Sequence, residues 1–145
     1  MLLRNELQTA LQDLEVACLE VADGHEAAAG MLADDDPLAA VLREQAGARR
    51  AAAERLGDCI RQLHDLPAEP DADLETAREL AARVMAALSP DQHRTVAAER
   101  AAAEGHLVTL AEAALDQREL ADDAREVVEK LRTEAAAAQQ RLAGG

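Results

Sequence analysis

The stretch Leu32-Ala33-Asp34-Asp35-Asp36-Pro37-Leu38 interrupts a long helical pattern and turns the chain back on itself. Asp36 has the short acceptor side chain that helix N-caps favour, and Pro37 suits the first helical position because it has no N–H to leave unpaired. The stretch therefore predicts the end of one helix and the start of the next. A connection this short makes the two helices antiparallel neighbours.

On both sides of this loop, apolar residues recur every three to four positions, as they do on the buried face of a helix. Helix A is predicted from Leu3 to Leu32 and helix B from Pro37 to about Leu66, so residues 3–66 form one helical hairpin. The stripe of helix A reads Leu3, Leu7, Ala10, Leu14, Ala17, Val21, His25, Ala28 and Leu32.

The second half of the chain repeats this organisation after a linker. Two prolines mark the linker in residues 66–71, and a short helix C is predicted over 74–88. Ser89-Pro90-Asp91-Gln92 has the pattern of a capping box that starts helix D, and Asp116-Gln117-Arg118-Glu119 predicts a second one before helix E. Residues 90–143 are therefore a second hairpin. The stripe of helix D reads Val96, Glu99 and Arg100, Ala103, His106 and Leu107, Leu110 and Ala114.

The two hairpins predict a single all-α domain over residues 1–145. One hairpin cannot bury its apolar stripe alone, so two must stack into a four-helix bundle. Helix C and its linkers are long enough to carry the chain back along the bundle, which makes helices B and D parallel. One long crossover is the topology of ferritin-like folds. The predicted fold class is a ferritin-like four-helix bundle of two antiparallel hairpins with a short helix in the crossover.

Composition excludes several functions. The chain has no Phe, Trp or Tyr and a net charge of -14, which argues against base-stacking platforms and phosphate-backbone binding. No apolar run reaches the length of a membrane span. We therefore expect a cytoplasmic protein without nucleic-acid or membrane partners. Because an Ala-rich core buries little apolar area, a homodimer or a helical protein partner is expected. Cys18 and Cys59 differ too much in depth to bridge and are predicted to be free thiols.

Several polar residues fall on the apolar stripes: His25, Gln45, Arg49, Glu99 or Arg100, and Glu134. If the crossover returns the chain to the end with the A–B loop, counting along the helices places these residues in one layer. The first interpretation is an Arg–carboxylate network, in which Arg49 and Arg100 neutralise Glu44, Glu99 or Glu134.

The second interpretation is a metal site that uses His25, Glu44, Glu99 and Glu134 to bind iron, manganese or zinc. Di-iron bundles take Glu-x-x-His from two helices, because that spacing points both side chains at one ion. Here Gly47 and Ala137 stand where the two histidines are needed. The sequence therefore predicts that the protein is not a two-metal oxidase. If the layer is an Arg–carboxylate network, the bundle has no catalytic residues and no cofactor.

Six short strings stand out along the chain: His25-Glu26-Ala27-Ala28, Asp36-Pro37-Leu38, Leu42-Arg43-Glu44, Ala86-Ala87-Leu88-Ser89, Ala98-Glu99-Arg100 and Gln140-Arg141-Leu142. Together with the order of the helices, these strings resemble a bacterial ferritin-like family of unknown function. The resemblance implies a ferritin-like bundle, often dimeric, without demonstrated enzyme activity. The predicted function is a non-catalytic structural or stress-related interaction module. The alternative is a metal-binding ferritin-like protein with a degenerate carboxylate and histidine site.

Overall fold

The computed structural model of the chain describes residues 6–63 and 92–144. In these two ranges the chain is helical and contains no β-strand, which confirms the all-α prediction there. The helices are α1 Glu6–Met31, α2 Pro37–Gln62, α3 Gln92–Leu115 and α4 Asp122–Gly144. The predicted helix C over 74–88 lies outside the described residues, and so does most of the capping box at 89–92.

The loop between α1 and α2 contains the predicted cap. The backbone of Asp36 is extended, and its Oδ1 accepts a hydrogen bond from the backbone N–H of Leu38 at 2.9 Å. Pro37 occupies the start of α2. The first N–H groups of a helix have no partner inside it, so the Asp36 carboxylate satisfies one of them and defines where α2 begins.

The loop between α3 and α4 differs from the prediction. The capping box at 116–119 was expected to start the last helix, but α4 begins at Asp122. The backbone N–H groups of Asp116 and Gln117 instead donate to carbonyls inside α3, at 3.1 Å each, and so complete its last turn. Arg125 then donates to the carbonyl of Leu115 at 3.2 Å. The capping-box prediction is wrong. Asp116 and Gln117 complete the last turn of α3, and residues 118–121 reverse the direction of the chain before α4 begins.

Helices α2 and α3 begin at the same end of the bundle. His93, in the first turn of α3, lies with its Nδ1 3.0 Å from Oδ2 of Asp36 at the start of α2. Around the bundle, α1 packs against α2 and α3, and α4 packs against α3 and α2. The helices α2 and α3 are therefore diagonal and parallel. This confirms the prediction that the connection between the hairpins returns the chain to the end from which α2 started.

The buried apolar side chains form two clusters along the bundle axis. The larger cluster lies towards the end where α2 and α3 finish, and its bulky members include Leu11, Leu14, Leu56, Ile60, Leu107 and Leu131. The smaller cluster lies beside the α1–α2 loop and includes Leu32, Leu38, Leu42, Val96 and Leu142. Nearly half of the buried apolar residues are alanines, whose small side chains allow neighbouring helices to approach closely.

In the described ranges, no helix combines the length and the apolar character that crossing a membrane requires.

Candidate functional site

In the part of the chain that the structure describes, four polar or charged side chains are buried between the two apolar clusters, and we call them the polar layer: His25, Arg49, Arg100 and Glu104. Each is at most 1% exposed. One comes from α1, one from α2 and two from α3. Burying an ion is unfavourable unless an opposite charge or hydrogen bonds compensate, so the contacts within the layer decide what it can do.

Both ring nitrogens of His25 are engaged. Its Nε2 lies 2.6 Å from Oε2 of Glu104, and its Nδ1 lies 3.3 Å from Nη1 of Arg100. A guanidinium can only donate a hydrogen bond and an ionised carboxylate can only accept one. The contacts therefore assign the proton to Nε2, which donates to Glu104, and leave Nδ1 to accept from Arg100.

The surroundings of His25 favour its neutral form. Burial lowers its pKa below the ordinary value of a histidine, because the apolar interior disfavours the charged ring. The hydrogen bond to Glu104 acts in the opposite direction, and the nearby positive charges of Arg100 and Arg49 lower the pKa further. The net direction agrees with the assignment of a single proton to Nε2.

Arg100 joins α3 to the backbone of α1. Its Nε and Nη2 donate to the two carboxylate oxygens of Glu99, at 2.7 and 2.9 Å, in a paired arrangement. Its Nη1 also donates to the carbonyl oxygen of Val21 at 3.4 Å. The guanidinium lies so close to α1 that a Cβ built on Gly24 would overlap Nη1 and would lie 2.9 Å from Cζ. Because Gly24 has no side chain, the guanidinium of Arg100 can lie at this position against α1.

Arg49 is only partly satisfied. Its Nη2 donates to Oε1 of the half-buried Gln45 at 3.1 Å. Its Nε lies 3.4 Å from Oε1 of Glu104, which is within ion-pair distance but outside hydrogen-bond geometry, and its Nη1 lies 4.0 Å from Oε1 of Glu134. Among the described residues, Nε and Nη1 of Arg49 and Oε1 of Glu104 have no hydrogen-bond partner. The nearest negative charges to the buried guanidinium of Arg49 are therefore those of Glu104 and Glu134, and two of its nitrogens are in ion-pair contact without a hydrogen bond.

The structure places the predicted metal residues in different surroundings. His25 is inside the polar layer, Glu134 is at its rim with a side chain 37% exposed, and Glu99 is held by Arg100. Glu44 lies on the surface, with its carboxylate 3.6 Å from Nη1 of Arg141. In residues 6–63 and 92–144, no three His, Cys, Asp or Glu side chains converge as a metal site would require. The contacts of Glu99 and Glu134 are those of the Arg–carboxylate network, whereas Glu44 pairs outside it.

Sequence reasoning missed Glu104, which is the central anion of the polar layer. The apolar stripe predicted for this helix includes His106 and leaves Glu104 off it. In the structure His106 is exposed and Glu104 is 0% exposed. A signal was present, because Glu104 lies four residues after Arg100 and three before Leu107. These spacings keep all three residues on one helix face.

The two cysteines are free thiols, as predicted, and both are buried. Burial raises the pKa of Cys18 to about 12 and raises that of Cys59 as well, because the interior disfavours a thiolate. Cysteine nucleophiles and metal-binding thiolates need the opposite shift. Neither thiol is therefore prepared for such chemistry.

No model of a known protein family, no curated protein and no solved structure matches the chain.

Proposed function

We propose that the chain is a non-catalytic, ferritin-like helical bundle that serves as a structural interaction module. The observation that carries this proposal is the burial of two guanidinium groups, those of Arg49 and Arg100, at the centre of the bundle beside Glu104. Two fixed positive charges repel a divalent cation at the place where a carboxylate-bridged bundle would hold one. The polar layer then acts in packing, because it sets how the two hairpins fit together.

The direction of the helices supports the ferritin-like part of the proposal. Both hairpins are antiparallel, and α2 and α3 run parallel, so residues 64–91 join the end of α2 at one end of the bundle to the start of α3 at the other. Ferritin-like folds differ from simple up-and-down bundles in having this single long crossover. The partners expected for such a module are a second copy of the chain or another helical protein.

The contacts of the candidate ligands favour packing over the alternative, a degenerate metal site. Both carboxylate oxygens of Glu99 accept hydrogen bonds from Arg100, and Oε1 of Glu134 lies 4.0 Å from Nη1 of Arg49. Both ring nitrogens of His25 are also occupied by protein groups. A metal would have to displace these partners and leave the guanidinium of Arg100 buried without its paired carboxylate, which is strongly unfavourable.

Metal analysis of protein purified without a chelating tag tests the proposal. We expect iron, manganese and zinc each to be far below one ion per chain. The double variant Glu99→Ala, Glu134→Ala should have the same metal content as the wild type. The matched control is Glu126→Ala, Glu129→Ala, which removes two exposed glutamates from α4. One ion per chain that is lost in the first double variant and kept in the control would overturn the proposal in favour of the metal site.

A further inference from the structure

The ring of His25 is a hydrogen-bonded link between the two hairpins. It belongs to α1, in the first hairpin, and both groups that it contacts belong to α3, in the second. One contact uses a ring N–H and the other uses a ring lone pair, so the link requires a neutral ring with one defined tautomer. Such a link responds to a single proton.

We propose that His25 is a proton-operated release for the contact between α1 and α3. Uptake of one proton from solvent at Nδ1 forms a second ring N–H, and the lone pair that accepts from Arg100 is lost. Two donors, Nη1 of Arg100 and Nδ1 of His25, then face each other across 3.3 Å, and both carry positive charge. The hydrogen bond between the hairpins is replaced by repulsion.

The charges around His25 come from three helices. From α3, Arg100 opposes the protonated ring and Glu104 favours it; from α2, Arg49 opposes it. From α4, Glu134 lies 4.0 Å from Arg49, at the rim of the layer. Arg100 is paired with Glu99, and Glu104 already faces Arg49 at 3.4 Å, so a protonated ring would be the second cation that this one carboxylate has to balance. Protonation therefore adds one more buried positive charge to the layer.

The direction of the pH dependence follows from the neutral state of the ring. Because the pKa of His25 is lower in the folded protein than in the unfolded chain, the unfolded chain binds the proton more tightly. The contribution of His25 to stability is complete above the unfolded value of about 6.5 and is lost as the pH falls from there towards the folded pKa. Acid therefore loosens the bundle at its centre.

A second histidine contact, with a carboxylate, lies at the end of the bundle. His93 is partly exposed and faces both oxygens of Asp36, at 3.1 and 3.0 Å. This hydrogen bond lowers the pKa of Asp36, so the carboxylate stays ionised and attracts a protonated His93. Mild acid thus keeps the link beside the α1–α2 loop while it opens the link in the polar layer.

The experiment compares urea unfolding of the wild type and of His25→Gln from pH 7.5 to pH 5. Gln keeps a donor for Glu104 but cannot take up a proton. We expect the unfolding constant of the wild type, relative to that of the variant, to rise by up to tenfold per pH unit below about pH 6.5. The control His106→Gln removes an exposed histidine from α3 and should keep the wild-type profile. Equal pH profiles for the wild type and His25→Gln would overturn the inference.

Nitrogen NMR of the wild-type ring gives a test that does not depend on the variant folding. The expected result is a neutral ring protonated at Nε2, and amide exchange in residues 101–107 that accelerates when this ring titrates. A neutral ring protonated at Nδ1, or a folded pKa above that of the unfolded chain, would overturn the inference.

This inference rests on the packing role proposed above, and the two can fail separately. Stoichiometric metal in the tag-free protein defeats the proposed function. A metal-free protein whose pH profile is unchanged by His25→Gln defeats the release alone.

Discussion

Replacing Gly24 by alanine should destabilise this bundle, although the same change stabilises most helices. Gly24 lies inside α1, where alanine is favoured over glycine by about 1 kcal/mol. The new methyl group, however, would occupy the position of the Arg100 guanidinium. Arg100 is 1% exposed and its other nitrogens are held by Glu99, so it has little room to move without leaving α1.

The size of the effect follows from the contacts that must break. Moving the guanidinium away from α1 removes its hydrogen bonds to Nδ1 of His25 and to the carbonyl of Val21. Both are long, at 3.3 and 3.4 Å, so their combined loss is expected to cost about 2–4 kcal/mol. After the gain of about 1 kcal/mol in helix propensity, the net loss in the free energy of unfolding is about 1–3 kcal/mol.

The matched control is Gly47→Ala. Gly47 also lies inside a helix, but it is exposed and nothing stands within 4 Å of a Cβ built on it. This variant should be more stable than the wild type by about 0.5–1 kcal/mol. Urea unfolding followed by far-ultraviolet circular dichroism measures both, because the chain has no Trp or Tyr for fluorescence. If Gly24→Ala is stabilised as much as Gly47→Ala, the proposed contact between Arg100 and α1 is wrong.

Two further changes test the polar layer and the helix cap. Glu104→Ala removes the central anion from Arg49 and should lower the free energy of unfolding by about 3–5 kcal/mol, whereas Glu44→Ala, at an exposed ion pair, should change it by less than about 1 kcal/mol. Equal effects in thermal unfolding would show that the layer does not contribute as described. Asp36→Ala removes the cap of α2 and should cost about 1 kcal/mol at pH 7. Because the pKa of Asp36 is lowered in the folded state, this difference should shrink as the pH falls below about 4, and a difference independent of pH would contradict the role of its carboxylate.

The candidate site was predictable in part. His25, Arg49 and Arg100 were expected inside the bundle, because each interrupts an apolar stripe, and all three are buried. Glu104 was missed, because α3 carries alanines on every side and its stripe can be read with more than one phase. A shift of one residue turns a helix by about 100°, which is enough to exchange a buried position for an exposed one.

The sequence by itself determined the local structure. Apolar spacing and helix-favouring composition produced the helices, and Asp36 with Pro37 defined the start of α2, because these signals act within a few residues along the chain. Only the tertiary structure decided which polar side chains share the polar layer, which arginine meets which carboxylate, and that Gly24 faces a guanidinium. These outcomes depend on the rotation and the depth of each helix against its neighbours. In an alanine-rich bundle, few large side chains constrain that fit, so the pairing of the buried charges contributes to it.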